Sequence, residues 1–374
     1  MRFIIAKPED KMSMGDLFYS VPAKEEKEKA FDELVQICLR RADREFPRRP
    51  DHPERNGMIP QVEKELGMIR DCGYAIDFLV MHEIASLSKK LGYPTAMFGM
   101  EGGLIVSYLL GITNIHPAQT GFSTIPSDIA IETACSDCSF DFTMAIAEPI
   151  RKQIQHKLDQ RFGMVDDRIV SYSRIRLPQF HTLETIGELA EASGVSFADV
   201  DIENPKLIEC VYNDICHSIF QREQCCSIPQ STLELARIYA YTCCGSKSEN
   251  DFSEVKDFVF RDDIYNELVM DDDLLIGEIN SLSCNCSIGC KKEKDIRILI
   301  GYGVGERIIS AYRKLHNQRY AADCLARVNM MHLIKYYSTD KNMGIILLMF
   351  RTPSSFGAPF LSFLRSSTIL IKSG

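Results

Sequence analysis

The chain has 374 residues, 45% of them hydrophobic and 25% charged, enough for one large or two ordinary hydrophobic cores. Lys and Arg number 43 against 52 Asp and Glu, a formal charge of −9. That balance excludes a generic polyanion binder and confines any nucleic-acid contact to a local basic face.

In chain order, a short strand-like start over 1–20 gives way to a helix over 24–45. Phe31, Leu34, Ile37, Cys38 and Ala42 share one face of it. FPRRPDHPERNG at 46–57 reads as a charged, Pro-rich linker. Helices are expected near 60–72 and 74–91, then a glycine loop and a helix over 103–111. Gly99, Gly102 and Gly103 could bring backbone N–H groups close to a phosphate, with the helix N-terminus behind them. The loop lacks a Gly-Lys-Ser/Thr ending, and spacing alone equally describes a Gly-rich turn before a buried helix. Residues 117–140 are irregular and contain Cys135-Ser-Asp-Cys138. A helix over 148–162 ends at Gly163, and SYSRIRL at 171–177 is strand-like.

From 182 onward the pattern is mostly helical, near 182–193, 205–222, 229–243 and 252–270. A Cys- and Lys-rich loop at 284–294 precedes DIRILI at 295–300, which reads as a strand. Gly301-x-Gly303-x-Gly305 follows; with Glu306 where a dinucleotide fingerprint needs its last glycine, it reads as a tight turn. Helices over 306–316 and 318–337 come next, and an irregular tail covers 341–374. MGIILLMF at 343–350 is too short to span a bilayer, and MRFIIAKPEDKM has neither the apolar core nor the cleavage site of a secretory signal. The expectation is a cytoplasmic protein with no membrane association. Its 14 cysteines are expected to be reduced. The fold class expected is α/β, dominated by helices.

The stretch 62–117 resembles the bacterial family C replicative DNA polymerases, the alpha subunits of DNA polymerase III, most closely the polymerase C type. That family carries Gly-Tyr-x-Val-Gly-x-Arg-Gly-Ser-x-Gly-Ser-Ser, an apolar run and Ile-Thr-x-x-x-Pro. Gly92, Tyr93, Gly99, Gly102, Ile112, Thr113 and Pro117 fall in register with it. VEKELGMIRDCGYAIDFLVMHEIASLSKKLGY at 62–93 is similar to the family's Glu-Leu-x-x-Ile-x-x-x-Gly-(Phe/Tyr)-Ala helical pair. Further on, Arg261-Asp262-Asp263-Ile264 matches an Arg-Asp-Asp-Ile motif, and 303–336 resembles a finger segment in which Tyr320 replaces a histidine. The resemblance implies four parts: a helical lead-in and linker (1–57), a nucleotidyltransferase-like palm (58–180), helical fingers (181–340) and the tail (341–374).

The departures bear on function. Positions where the family carries its arginine and serines hold Phe98, Met100, Gly103 and Leu104. A guanidinium that could grip phosphate bidentately is replaced by a ring. The family's Asp-x-Asp falls on Asp141-Phe142-Thr143, and its third aspartate on Arg176. Two-metal phosphoryl transfer needs carboxylates on adjacent strands. Here Asp141 is the one candidate Mg²⁺ ligand, so the Mg²⁺ expected for the family is expected to be lost. Cys135 and Cys138 form the candidate zinc pair, but no second pair lies nearby and zinc is not expected. Residues 291–335 hold ten Lys/Arg against four Asp/Glu, a balance of +6. Arg313, Lys314, Arg319, Arg327 and Lys335 are the candidate DNA contacts there; a solvated helix face reads equally well.

The resemblance implies a DNA-synthesising core that has become a catalytically inactive remnant, with weak contacts to DNA, deoxynucleotide and possible replication proteins. The alternatives are a non-catalytic DNA- or replisome-binding module, an active nucleotidyltransferase with displaced metal ligands, and a decayed gene product.

Overall fold

The computed structural model describes residues 3–5, 17–20, 24–45, 53–116, 142–162, 172–178, 180–216, 227–243, 252–253, 255–269, 292–315 and 318–339. The chain divides into two compact units, Met1–Gly187 and Glu188–Gly374. The fold is α/β and helix-dominated.

Unit 1 contains β1 (Phe3–Ile5), β2 (Leu17–Ser20), α1 (Lys24–Glu45), α2 (Pro53–Asp71), α3 (Ala75–Lys90), β3 (Ala96–Phe98), α4 (Ile105–Leu109), β4 (Thr143–Ala145), α5 (Glu148–Phe162) and β5 (Tyr172–Ile175). Helix α6 (His181–Ser193) crosses the division between the units. The amphipathic face of α1 is buried at Leu34, Cys38 and Ala42, and α1 packs on α3. Helix α2 begins at Pro53, inside the segment expected to be linker. Proline at a first helical position gives up only an N–H that has no partner there, so the Pro-rich composition permits this start.

Two ladders build the sheet. Strand β2 runs antiparallel to both β1 and β5, while β3 and β4 form an antiparallel pair. Residues 176–178 and Phe180 continue beyond β5 and join the ladders. Arg176 N–H donates to the Phe142 carbonyl at 2.8 Å, and Met144 N–H to the Arg176 carbonyl at 2.9 Å. Ile146 N–H bonds the Pro178 carbonyl, and Phe180 N–H returns to Ile146. This run is parallel to β4, with Thr143 paired to Arg176. A parallel neighbour needs a crossover, and α5 supplies it. Beneath the sheet, the Phe142 ring meets Tyr74 and Phe78 edge-on, with centroids 5.4 and 5.6 Å apart.

Unit 2 is helical among its described residues: α7 (Pro205–Ile215), α8 (Thr232–Cys243), α9 (Arg261–Val269), α10 (Lys292–Gly301), α11 (Glu306–Lys314) and α12 (Ala321–Thr339), with short 3₁₀ turns at Phe197–Asp199 and Lys256–Phe258. Its core is α12 packed on α7 and α8, with Tyr212, Tyr241, Leu325, Val328 and Met331 buried. Residues 295–300 are helical, which corrects the strand expected there. Ile296 and Leu299 are buried while Arg297 and Ile300 face outward, a helical period. Asp295 accepts the buried Tyr312 hydroxyl at 3.0 Å, tying α10 to α11. The glycine run is the tight turn expected: Gly303 has φ +75°, its N–H caps Ile300, and Val304 N–H bonds the Leu299 carbonyl.

In each unit a buried carboxylate caps the N-terminus of another helix. In unit 1, Glu65 accepts from Val106 N–H of α4 at 2.9 Å and from Gln61 Nε2 at 3.2 Å. In unit 2, Asp262 accepts from Ala321 N–H at the start of α12. Burial raises both carboxyls to about 7, against the opposing pull of these hydrogen bonds. Their ordinary values are 4.5 and 3.8, so the folded chain holds these protons where the unfolded chain has released them. Stability from both groups is therefore full below those ordinary values and lost as pH rises toward about 7, by roughly 3 kcal/mol for Glu65 and roughly 4 kcal/mol for Asp262. His332, buried and held down to about 4, acts oppositely but only below its ordinary 6.5. Glu65→Gln with Asp262→Asn keeps both acceptors and removes both titrations. Calorimetric melting of the double variant should fall less than wild type between about pH 4 and pH 7. Identical pH dependence in the two proteins would contradict the buried-carboxyl assignment.

Candidate functional site

The site expected from the sequence lies on the sheet of unit 1, where β3, β4 and residues 176–178 run side by side. Phe98 pairs with Thr143 across the antiparallel ladder, and Thr143 pairs with Arg176 across the parallel one. Directly paired residues project on one face of a sheet. Burial agrees: Arg176 is exposed, while its neighbours Ile175 and Leu177 are 0% and 1% exposed and point into the core. Phe98 is buried and its ring lies 5.5 Å from that of Phe180. Phe98, Thr143 and Arg176 thus form one row across three strands. Asp141, Cys135 and Cys138 lie outside the described residues.

Those residues do not fit a two-Mg²⁺ centre. Thr143 offers a neutral hydroxyl, and Arg176 a permanent cation that repels a divalent ion. Among the described residues, no three His, Cys, Asp or Glu converge as a metal-ligand set.

The glycine loop forms its turn from within. Gly99, at φ +96°, is in the region that favours glycine. It opens a 3₁₀ turn, Met100–Gly103, and the helix expected over 103–111 is reduced to α4, Ile105–Leu109. Gly102 N–H bonds the Gly99 carbonyl at 3.3 Å, and Leu104 N–H the Glu101 carbonyl at 3.3 Å. Ser107 Oγ also donates to that carbonyl, at 2.6 Å. The amides opening α4, Ile105 and Val106, are taken by Glu65. A carboxylate of the chain thus holds the place at the α4 N-terminus that a phosphate would need. Glu101 is also buried, its carboxylate against Gly99. Gly102 and Gly103 shape the turn, with a donor of Gly102 already used.

Several matched residues have structural roles that the sequence did not disclose. Gly92, at φ +85°, closes α3: its N–H bonds Lys89, Tyr93 N–H bonds Ser88, and Ser88 Oγ returns to the Tyr93 carbonyl. A side chain at Gly187 of α6 would strike the Tyr93 ring, so that glycine permits the helix to pack there. The Arg-Asp-Asp-Ile motif is a joint within unit 2. Asp263 takes a bidentate pair from Arg237 at 2.7 and 2.9 Å and accepts Phe260 N–H, capping α9. Arg261 N–H bonds the Arg319 carbonyl, its guanidinium lies 4.8 Å from the Tyr320 ring centre, and Asp262 caps α12.

The basic segment is less positive at its surface than its count suggests. Arg307 pairs with Asp257 at 3.0 Å, an acid outside the segment, and Arg313 with Glu306 at 3.0 Å. Arg327 buries its Nε. Arg319 is exposed and Lys314 half-buried. Lys335 bonds Asp214 at 2.6 Å with only 12% and 13% of the two side chains exposed. Its ammonium is turned to α7 and not to solvent.

Residues 32–180 match the family model described as the bacterial DNA polymerase III alpha NTPase domain. The match lies within unit 1, so this segment carries the polymerase III alpha pattern read from its motifs. Among curated relatives, DNA polymerase III subunit alpha of Aquifex aeolicus is 25% identical over 143 residues, 38% of this chain and 12% of the relative. DNA polymerase III PolC-type of Thermotoga maritima is 40% identical over 57 residues, 15% of this chain and 4% of the relative. The matched segments therefore span small fractions of those relatives. No helix among the described residues is long and apolar enough to cross a membrane.

Lys335 separates structural from DNA-binding roles. Lys335→Ala leaves the Asp214 carboxylate buried without its cation, a loss of about 3–5 kcal/mol. Thermal melting should fall clearly, and the salt dependence of any DNA binding should be unchanged. An unaltered melt with weakened DNA binding would return Lys335 to the DNA contact.

Proposed function

We propose that unit 1 is a DNA polymerase III alpha-type palm that has lost metal-dependent nucleotidyl transfer, leaving a replication-related, catalytically inactive chain with weak DNA contacts. The observation that carries this reading is the pairing of Thr143 with Arg176 on neighbouring strands. The motif alignment assigns two of its three carboxylates to these positions, and the sheet sets them side by side. Neither side chain at these two paired positions offers the carboxylate that a metal pair requires. Transfer by in-line displacement needs cations to neutralise charge on the attacking and leaving oxygens. A hydroxyl and a guanidinium cannot hold a metal pair there. The loop supports the same reading, since Glu65 occupies the α4 amides and Phe98 replaces the arginine of the motif.

A cytoplasmic location and association with DNA or replication proteins belong to this proposal, carried by the family match and the absence of a membrane-spanning helix among the described residues. Primer extension tests it. The purified chain with Mg²⁺, a primed template and four deoxynucleotides should leave the primer unextended. Template-directed extension that Asp141→Ala abolishes would overturn the proposal in favour of an active nucleotidyltransferase with displaced ligands.

A further inference from the structure

The middle of α12 is buried around its whole circumference. Residues 328–334 are seven successive buried residues, and all but Asn329 and His332 are apolar. A helix covered all round is ordinarily apolar all round. Asn329 and His332 break that pattern at 7% and 0% exposure. They are three residues apart, so their side chains share one face of α12.

Their polar atoms find no partner among the described residues. Asn329 Oδ1 and both His332 ring nitrogens, Nδ1 and Nε2, are buried and make no hydrogen bond with the chain. Other buried polar groups of unit 2 do bond within it. The Tyr312 hydroxyl donates to Asp295, Gln318 Nε2 to the Phe258 carbonyl, and the Thr232 hydroxyl to the Ile202 carbonyl. Taking a polar atom out of water without a replacement hydrogen bond is costly, and folded proteins rarely do it. Here three such atoms lie within one helical turn.

Their donor and acceptor count defines what fits. Burial holds the imidazole neutral, with its pKa lowered to about 4. A neutral ring carries one N–H donor and one unprotonated nitrogen that accepts. With Asn329 Oδ1 the pair presents two acceptors and one donor. The ring nitrogens diverge, so one small molecule cannot serve both. Water is the smallest uncharged molecule that both donates and accepts, and buried water bonds groups of this kind.

We propose that Asn329 and His332 hold two internal water molecules in the core of unit 2. One donates to Asn329 Oδ1 and to the unprotonated ring nitrogen. The other accepts the ring N–H and turns its own hydrogens toward Glu203. That carboxylate is the acid whose charge acts on the ring, and it already accepts Thr232 N–H at 3.0 Å at the start of α8. These waters belong to unit 2 alone and do not depend on what unit 1 catalyses.

The test is NMR of the full chain with ¹⁵N-labelled histidine. The His332 ring is identified by its neutral nitrogen pattern at about pH 5.5, between about 4 and its ordinary 6.5, and by loss of the signal in His332→Gln. The expected result is a slowly exchanging ring N–H with a cross-relaxation peak at the water frequency. A ring N–H whose peaks lead to Asn329 instead would show the two side chains bonding each other and would overturn the waters. A ring N–H with neither peak, or one exchanging too fast to observe, would overturn them as well. Melting gives an independent reading. Asn329→Leu leaves the ring and its water short of a partner, so the melting temperature should fall by roughly 2–4 °C. Combined with His332→Phe, the total loss should be smaller than the sum of the two single losses. Additive losses, or a rise for Asn329→Leu alone, would overturn the shared water.

Discussion

The parallel pairing of residues 176–178 with β4 is the constraint on which unit 1 depends. Without the bonds from Arg176 to Phe142 and from Met144 to Arg176, the two ladders would be separate ribbons. A two-stranded ribbon such as β3–β4 alone is marginal in water. With the bonds, the order becomes β1-β2-β5-β4-β3, and α5 has a parallel crossover to make. The same pairing puts Thr143 and Arg176 beside each other. One backbone interaction therefore fuses the sheet and defines the place where the chemistry has changed.

A second feature is the use of buried carboxylates as helix caps. Four amides at a helix start have no partner within the helix. Glu65 supplies one for α4, and Asp262 for α12. The electrostatics are favourable at a helix N-terminus, but burial opposes charge and raises both groups to about 7. For α4 the consequence is functional: amides that could receive an anionic ligand are satisfied by the chain. The glycine loop keeps its shape because Gly99 adopts φ +96° and because Glu101 and Ser107 bond within it, with no ligand required.

Much of this was legible in the residues. The face of α1 with Leu34, Cys38 and Ala42, the extent of α5 over Glu148–Phe162 and the turn at Gly303 follow from period and glycine chemistry. The motif alignment assigned Thr143 and Arg176 to two carboxylate positions of the family; that they pair directly across the sheet is seen only in the structure. DIRILI misled because four apolar β-branched or leucine residues in six carry strand propensity. The Asp295 bond to Tyr312 and the burial of Ile296 and Leu299 favour the helix, a tertiary effect that local sequence does not encode. Lys335 misled for a similar reason. Its partner Asp214 lies 121 residues away, so a charge count over 291–335 could not register the neutralisation. Glu65 was quoted within a matched motif, but its bond to Val106 spans 41 residues and no local signal marks it as a cap.

The account turns on one claim: positions 143 and 176, paired across the sheet, offer no carboxylate to a divalent metal. Calorimetric titration of Mn²⁺ into the full chain, compared with the Thr143→Asp/Arg176→Asp variant, addresses it most directly. The account predicts no specific binding to the natural chain and a new saturable site, competed by Mg²⁺, in the variant. Saturable Mn²⁺ binding to the natural chain that Asp141→Ala abolishes would contradict it.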